Sequence, residues 1–346
     1  SVLRKSMSSE TKKPCIVLGV TGGIAVYKAC ELLRLLQKRG IDVFVVMTQN
    51  ACRFVAPLTF ETLSGHPVAV DTFDRPQTWE VEHIALAKRA DLFMIAPATA
   101  DIIGKMACGI ADDMLTTTAM ACTCQKIVAP AMNTNMYHNP ILQDNLKKLE
   151  GYGFTVIAPE KGLLACRDIG DGKMPSEDVL VGHILREIAH EKDLAGMKVI
   201  VTAGPTQESV DPVRYITNHS TGKMGYELAK AAMLRGAEVT LVSGVTNLEP
   251  PMFVDYVQVK SAGDMFEAMK SRFLDNDIII KAAAVADYKP KSYSDEKTKK
   301  KDGEMSIELD TGYSEISGRA SQRRSVLLRL LYGNPEYAGK FPCEAG

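Results

Sequence analysis

Short, uninterrupted apolar runs alternate with amphipathic stretches along most of this chain. Residues 15–20 form the first run, an amphipathic stretch covers 24–39, and the next predicted strand covers 42–47, which is apolar after Asp42. Apolar runs without polar alternation are typical of strands buried on both faces of a parallel sheet. The pattern therefore predicts a strand–helix–strand unit with a right-handed crossover.

The same alternation continues along the chain and begins again near Met197. The further predicted strands cover 91–96, 126–129, 154–158, 198–203, 237–243 and 277–281, and the further predicted helices cover 104–121, 177–190 and 226–235. Two successive series of this kind predict an α/β protein with two doubly wound, Rossmann-like domains.

The two ends of the chain do not share this alternation. Residues 1–14 are polar and basic without a hydrophobic signal core, which predicts a disordered leader. The two domains are predicted over 15–190 and 191–311. Residues 312–346 are rich in arginine and lack alternation, so they are predicted to be a divergent tail.

Composition narrows the classes of protein that remain. The chain has 346 residues, of which 46% are hydrophobic, and its formal net charge is −1. This small charge argues against general attraction to nucleic acid or membrane, and no apolar run is long enough to span a bilayer. The eight cysteines are scattered rather than arranged as a disulfide framework, which predicts reduced thiols and a cytoplasmic protein.

Two strand-to-helix turns in the first half are candidates for ligand binding. Gly22 and Gly23 follow the first predicted strand, where free backbone amides at a helix start attract phosphate. The third glycine of a dinucleotide fingerprint is absent, so a mononucleotide phosphate fits better, and a plain tight turn remains the alternative. Thr99 follows another strand, where its hydroxyl would either bind a ligand or cap the next helix.

The segment 130–137 follows a further predicted strand and surrounds Asn133 with apolar side chains. Such a loop suits a flat organic cofactor and a substrate that needs orienting. The alternative is a proline-bounded turn whose methionines fill core gaps.

Two further residues in the first half are suited to moving protons. His83 precedes a predicted helix and carries the side chain best suited to proton transfer near neutral pH, although most isolated histidines are surface or core residues. Cys166 lies in a glycine-rich segment, 162–175, that is predicted to be a flexible flap. A thiol there could donate a proton to a carbanion, and the alternative is an incidental cysteine in a surface loop.

The second half carries its own candidates for phosphate and nucleotide binding. The segment 220–225 could cradle phosphates through backbone amides, but its spacing is not that of a Walker loop. Small residues after the strand at 277–281 permit close approach of a flat base, and Asp287 could accept its hydrogen bonds. Lysines in 297–300 could close over a triphosphate, although a solvated loop is the more common reading of such a run.

Taken together, these segments resemble the fused bacterial phosphopantothenoylcysteine decarboxylase / phosphopantothenate–cysteine ligase family of coenzyme A synthesis. The resemblance covers roughly residues 14–311 and depends on the combination of Thr21–Ala25, Ala96–Ala100, Pro130–Asn133, the flap around Cys166, Asp211–Arg214 and Asn218–Gly225.

For the first half, the resemblance implies a flavodoxin-like, FMN-dependent decarboxylase domain. The implied cofactor contacts are Gly22, Gly23, Ile24, Thr48, Ala98 and Thr99. Asn133 would hold the substrate carboxylate beside Met132, His83 would be the catalytic histidine, and Cys166 would be the proton donor. The implied reaction converts 4′-phosphopantothenoylcysteine to 4′-phosphopantetheine, with the flavin taking a hydride and later returning it. The family also implies a homo-oligomer with the cofactor near a subunit contact.

For the second half, the resemblance implies ligation of cysteine to 4′-phosphopantothenate with CTP and Mg²⁺. Asn218 and Lys297 would be catalytic there. The implied substrate and nucleotide contacts are Arg214, Lys281, Ala282, Ala283 and Asp287, while the Mg²⁺ ligands are not assigned. Since 312–346 departs from the family pattern, the ligase domain is predicted to be incomplete and its activity impaired.

Two other functions remain open at this stage. A regulatory protein on the same scaffold would bind flavin without catalysis, and the presence of His83, Asn133 and Cys166 favours the enzyme over it. A dinucleotide enzyme with two Rossmann-like domains is disfavoured because the G-x-G-x-x-G fingerprint is absent.

Overall fold

The computed structural model describes residues 13–73, 81–163, 169–297, 306–311 and 326–329. The chain forms two compact units that divide between Ile188 and Ala189. Ten helices are described, together with short 3₁₀ turns at Ala51–Arg53 and Phe273–Asp275. The helices are α1 Val26–Gln37, α2 Pro57–Ser64, α3 Glu82–Arg89, α4 Ala100–Ala107, α5 Met114–Ala121, α6 Thr134–Tyr137, α7 Pro140–Gly151, α8 Glu177–Ile188, α9 Lys223–Leu234 and α10 Ala262–Lys270.

Sixteen strands are described over the same residues. They are β1 Cys15–Val20, β2 Asp42–Met47, β3 Leu92–Ala98, β4 Gln125–Pro130, β5 Thr155–Val156, β6 Glu160–Leu163, β7 Ile169–Lys173, β8 Lys198–Ala203, β9 Gln207–Ser209, β10 Tyr215–Thr217, β11 Glu238–Ser243, β12 Val254–Gln258, β13 Ile278–Lys281, β14 Tyr288–Pro290, β15 Leu309–Thr311 and β16 Val326–Arg329.

The first unit is built on a five-stranded parallel sheet in the order β2-β1-β3-β4-β5. Every residue of β1 and β3 is buried, because helices cover both faces of the sheet and each face packs its own hydrophobic cluster. This is the flavodoxin-like order, in which the chain direction switches between β1 and β3. Ligands of such sheets bind at the carboxyl ends of the strands beside that switch point.

The second unit also contains a five-stranded parallel sheet, in the order β12-β11-β8-β13-β16. Its first strand, β8, is central in the sheet. The side chains on the two faces of β8 belong to two separate hydrophobic clusters. The order corresponds to the first five strands of the Rossmann order 3-2-1-4-5-6, with the switch point between β8 and β13. The doubly wound α/β architecture predicted for both halves is therefore confirmed.

Several predicted elements differ in the structure. The strand expected to end before Pro97 continues as β3 through that proline to Ala98. The single helix predicted over 104–121 is two helices, because Gly109 adopts a left-handed φ of 71° after α4. Asp113 then begins α5 as the N-cap of a capping box with Thr116.

Other elements carried no sequence prediction. They are α2, α6, α7, α10, β6, β7, β9, β10, β12, β14 and β15, together with β16, which lies within the segment 312–346 and pairs with β13. The helix expected after His83 is α3, which begins at Glu82 and so contains His83. Within the described part of the chain, the helices are all too short or too polar to cross a bilayer.

Candidate active site

Three loops of the first unit meet at the carboxyl ends of β1, β3 and β4, and Thr21 joins two of them. Thr21 is fully buried directly after β1. Its hydroxyl donates to the carbonyl oxygen of Pro97 at 2.8 Å and accepts from the amide of Thr99 at 3.0 Å. The amide of Ala131 donates to the carbonyl of Ala98 at 3.0 Å and links the third loop. The buried hydroxyl of Thr21 and the backbone hydrogen bond from Ala131 to Ala98 thus fix the relative positions of the three loops.

Replacing Thr21 with valine should lower the free energy of unfolding of this unit by about 2–3 kcal/mol, because two buried polar groups lose their partner. Urea unfolding followed by circular dichroism measures the change. Thr118→Val is the matched control: Thr118 is equally buried, but its hydroxyl donates only to the carbonyl of Met114 within the same helix. A loss at Thr21 no larger than that at Thr118 would contradict the role of Thr21.

A cavity of about 570 Å³ opens between these loops. Six predicted site residues line it, and they come from all three loops. They are Gly22, Gly23, Ile24, Thr99, Met132 and Asn133. The other lining residues were not individually predicted as site residues; they are Ala25, Tyr27, Lys28, Ala100, Ala131, Met136, Gly172, Lys173 and Met174.

Three predicted residues do not line the cavity. Thr48 begins the loop after β2, where its amide donates to the carbonyl of Val20 at 3.0 Å. Ala98 is fully buried and contributes its backbone carbonyl to the bond with Ala131. His83 is half-buried on α3 and is not among the lining residues. Their roles at the cofactor stay predictions.

The segment expected to be a flexible flap is a regular antiparallel hairpin in its described parts. β6 pairs with β7, and a bulge lets Glu160 oppose Lys173 while Lys161 opposes Asp171. Gly172, the extra residue, has a φ of 131°. Cys166 lies between these strands, outside the described residues.

The hairpin packs directly on the Asn133 loop, and glycines make this close approach possible. The amide of Met132 donates to the carbonyl of Gly172 at 3.0 Å. A Cβ at Gly172 would overlap the carbonyl oxygen of Met132, and one at Gly170 would overlap the hydroxyl of Thr134. Nε2 of His138 lies 3.0 Å from Oδ2 of Asp171 and adds a side-chain bridge. The wall formed by β7 is therefore held in one register against Asn133.

Asn133 itself is positioned by the helix that it begins. Its Oδ1 accepts from the amide of Asn135 at 2.9 Å, so one side of the carboxamide is fixed as the N-cap of α6.

The charged residues that line the cavity are two lysines, and each lies near an acidic side chain. Lys28 lies 3.7 Å from Glu177, and Lys173 lies 4.0 Å from Glu160.

The residues present fit a flat aromatic cofactor that carries a phosphate. At Gly22 an added Cβ would overlap Asn50, so the loop after β1 packs tightly on the loop after β2. At Gly23 the nearest atom to such a Cβ is Cγ2 of Thr99 at 3.7 Å, which leaves the cavity side of this turn open. The turn leads into α1, whose first amides suit an anion. Mostly apolar walls with one carboxamide suit a ring system and an oriented substrate.

In the second unit, the loops after β8 and β13 are joined by a separate set of hydrogen bonds. The hydroxyl of Thr206 accepts from the amide of Ala286 at 2.9 Å, and the amide of Ala284 donates to the carbonyl of Gly204 at 2.9 Å. Nδ2 of Asn218 donates to the carbonyls of Ala284 and Val285 at 3.4 and 3.1 Å. The structure thus brings the predicted Asn218 to the loop that holds Ala282 and Ala283.

The other predicted residues of this unit are less closely grouped. Arg214 ends a turn held by buried Asp211, which accepts from its amide at 2.7 Å and lies 3.5 Å from its guanidinium. Lys281 ends β13, while Asp287 and Lys297 are exposed. Over the described residues, no group of three or more histidine, cysteine or acidic side chains could hold a metal ion. The Mg²⁺ ligands therefore stay unassigned.

Comparison with known proteins identifies relatives over most of the chain. The family model described as Flavoprotein matches residues 4–189, and the model described as DNA/pantothenate metabolism flavoprotein C-terminal domain matches residues 194–326. The coenzyme A biosynthesis bifunctional protein CoaBC of Bacillus subtilis is 49% identical over 90% of this chain and 78% of its own length. The Escherichia coli protein of the same name is 42% identical over 91% of this chain and 78% of its own.

A solved structure is also similar to the first half. It is a PPC decarboxylase mutant complexed with pantothenoylaminoethenethiol, with 30% identity and a TM-score of 0.45. The match covers 50% of this chain and 97% of that one.

Proposed function

From the premise that this chain belongs to the family of bifunctional coenzyme A biosynthesis proteins, we propose a role for each of its units. The first unit decarboxylates 4′-phosphopantothenoylcysteine with FMN, and the second ligates cysteine to 4′-phosphopantothenate with CTP and Mg²⁺. The chain is thus an enzyme of coenzyme A biosynthesis. The observation that carries the first assignment is the cavity that joins the glycine turn, Thr99 and Asn133.

The lining of this cavity supports the proposed place of the cofactor. Backbone amides of Gly22, Gly23 and Ile24 would hold the phosphate at the start of α1, and Thr99 would contact the cofactor from the loop after β3. When bound, the flavin accepts a hydride and returns it, which gives the substrate an electron sink during loss of CO₂.

The chain's own residues orient the substrate and exclude water. The carboxamide of Asn133 is fixed by its cap bond and would direct Nδ2 at the substrate carboxylate, with Met132 packed beside it. The hairpin would close the wall next to Asn133 through Gly172 and Met174, which keeps water from the reacting carbon. Cys166 would return a proton to that carbon.

In the second unit, the loop contacts support nucleotide binding at the switch point between β8 and β13. Ala282 and Ala283 leave room for a flat base, and Asp287 would accept its hydrogen bonds. Asn218 and Arg214 would serve the acyl-cytidylate, and Lys297 would neutralise phosphate charge. The predicted impairment of ligation by the divergent tail can be measured as CTP-dependent formation of the amide bond.

We propose further that the decarboxylase site is completed in a homo-oligomer. His83 does not line the cavity of its own chain, while Ile24 and Tyr27 at the cavity are 59% and 62% exposed. A second copy of the chain would cover these apolar side chains and bring the partner subunit's His83 to the substrate.

Complementation between two inactive variants tests this arrangement. His83→Asn and Asn133→Asp should each lose most of the decarboxylation rate when expressed alone, the latter about 10³-fold, and coexpression should restore activity because hybrid oligomers contain sites with both native residues. Native mass spectrometry verifies that hybrids form. Hybrids that form but release no CO₂ would show that His83 acts within its own chain or not at all.

The function as a whole is tested on the purified protein. Flavin absorbance together with CO₂ release from 4′-phosphopantothenoylcysteine is the expected result. Bound flavin without CO₂ release would favour a regulatory protein on this scaffold, and a colourless protein that does not take up FMN would contradict both readings.

A further inference from the structure

Two cations in the lining of the first unit's cavity have no role in the chemistry proposed so far. They are Lys28 on α1 and Lys173 at the end of β7, and within the described lining they are the charged residues. The glycine turn offers neutral backbone amides to the cofactor phosphate, and Asn133 offers a neutral carboxamide to the substrate carboxylate. The two ammonium groups are therefore left for a further anion.

Both lysines are tied to the short segment that joins β7 to α8. Nζ of Lys28 lies 3.7 Å from Oε1 of Glu177, the first residue of α8. Nζ of Lys173 lies 4.0 Å from Oε2 of Glu160. The other oxygen of Glu160 accepts from the amide of Ser176 at 2.7 Å, directly before α8. The two cations are thus grouped on the side of the cavity where the hairpin leads into α8.

The acidic neighbours balance the charge of the lysines without using their hydrogen-bond donors. Both separations exceed the roughly 2.7–3.2 Å of an N–H···O hydrogen bond. The carboxylate of Glu160 is held by a backbone amide instead, and that of Glu177 lies in the first turn of a helix, where the helix dipole favours a negative charge. Each ammonium group therefore keeps donors for a ligand in the cavity.

The backbone fixes Lys173 relative to Asn133. Lys173 follows Gly172, whose carbonyl accepts from the amide of Met132 at 3.0 Å, and Asn133 is the next residue after Met132. A Cβ at Gly162 would come within 3.2 Å of Cδ of Lys173, so the stem of the lysine lies across β6 where a glycine leaves room for it. The side chain is 42% exposed and lines the cavity, which places it at the mouth.

We propose that Lys28 and Lys173 bind the phosphate of the substrate and make the decarboxylase selective for phosphorylated substrates. This inference rests on the proposed decarboxylase function, since 4′-phosphopantothenoylcysteine carries a carboxylate at one end and a phosphomonoester at the other. A phosphomonoester carries a charge of about −1.5 to −2 near neutral pH. Ammonium groups bind such an anion through charge-assisted hydrogen bonds, which are stronger than those between neutral groups.

Rates with a phosphorylated and an unphosphorylated substrate test the assignment. Lys173→Met should lower kcat/KM for 4′-phosphopantothenoylcysteine about 30-fold, because a charge-assisted hydrogen bond is lost. The same variant should leave kcat/KM for pantothenoylcysteine within about twofold, and Lys173→Arg should retain most of the preference because the positive charge remains. Lys161→Met is the matched control: Lys161 lies on β6 of the same hairpin, is exposed and does not line the cavity, so neither value should change more than about twofold.

Binding of the reaction product separates this inference from the decarboxylase assignment. The FMN-loaded protein is titrated calorimetrically with 4′-phosphopantetheine and with pantetheine, which requires no turnover. The phosphorylated ligand should bind at least about tenfold more tightly, and replacing Lys28 and Lys173 together with methionine should remove the difference. A preference for the phosphorylated ligand without CO₂ release would contradict the decarboxylase assignment alone. Equal kcat/KM for the two substrates in the parent, with CO₂ released from both, would overturn the phosphate site alone.

The phosphate of the cofactor is the other anion that these lysines could bind. The dissociation constant of FMN, measured by flavin fluorescence, should change less than about twofold in the double variant, because backbone amides of the glycine turn hold that phosphate. A double variant that loses FMN affinity while its apoprotein-corrected preference for 4′-phosphopantetheine persists would assign the lysines to the cofactor and overturn the proposal.

Discussion

Replacing Asn133 with aspartate should lower kcat/KM for decarboxylation about 10³-fold while leaving the fold and the bound flavin in place. Aspartate keeps the oxygen that accepts from the amide of Asn135, so the cap of α6 is preserved. The amide nitrogen, however, becomes an oxygen that shares a negative charge. A substrate carboxylate then meets a like charge, which costs several kcal/mol, and about 4 kcal/mol corresponds to the expected loss.

Asn139 provides a matched control for this variant. It is also an N-cap asparagine, and its Oδ1 accepts from the amide of Ile141 at 2.9 Å, the same distance as at Asn133. Asn139 does not line the cavity, so Asn139→Asp should change kcat/KM less than about twofold. Initial rates of CO₂ release and the flavin spectrum are compared for both variants. Equal losses at the two positions would assign the effect to helix capping rather than to carboxylate binding.

Replacing Gly172 with alanine should lower the same kcat/KM about 10²-fold, because a displacement of about 1 Å in a positioned site has effects of that size. The added Cβ would overlap the carbonyl of Met132, whose amide is bonded to the carbonyl of Gly172. The bulge of the hairpin or the Asn133 loop must then shift, and both line the cavity.

Gly153→Ala separates this clash from ordinary backbone strain. Gly153 also has a positive φ, 88°, but a Cβ there would have no atom within 4 Å. Both variants should lose stability through strain of about 1–2 kcal/mol, which thermal unfolding measures, and only Gly172→Ala should lose turnover. A Gly172→Ala enzyme that turns over like Gly153→Ala would show that the contact with Met132 does not position the site.

The sequence was sufficient to predict the bounds of strands that lie inside each sheet rather than at its edges. β1 and β8 have the bounds that the sequence predicted, because a strand buried on both faces needs apolar residues along nearly its whole length. The split between α4 and α5 was missed because the apolar pattern continues across Gly109. Only the left-handed φ at that glycine and the capping box at Asp113 end one helix and begin the next.

At the site, topology explains what could and could not be anticipated. The carboxyl ends of parallel strands meet at one edge, so Gly22, Thr99 and Asn133 could be placed together from strand assignments alone. The pairing of β6 with β7 could not, because their glycine-rich segments carry no strand pattern. The contact of Gly172 with Met132 depends on long-range packing, which a local pattern does not contain.

The separation of the two units in sequence has a consequence for synthesis of the chain. All strands of the first sheet and both of its hydrophobic clusters come from residues before 189, and the clusters of the second unit begin after that point. Domains generally fold as units as they leave the ribosome, the N-terminal one first. The leading half can therefore reach its native state while the trailing half is still being translated, and premature termination downstream need not abolish it.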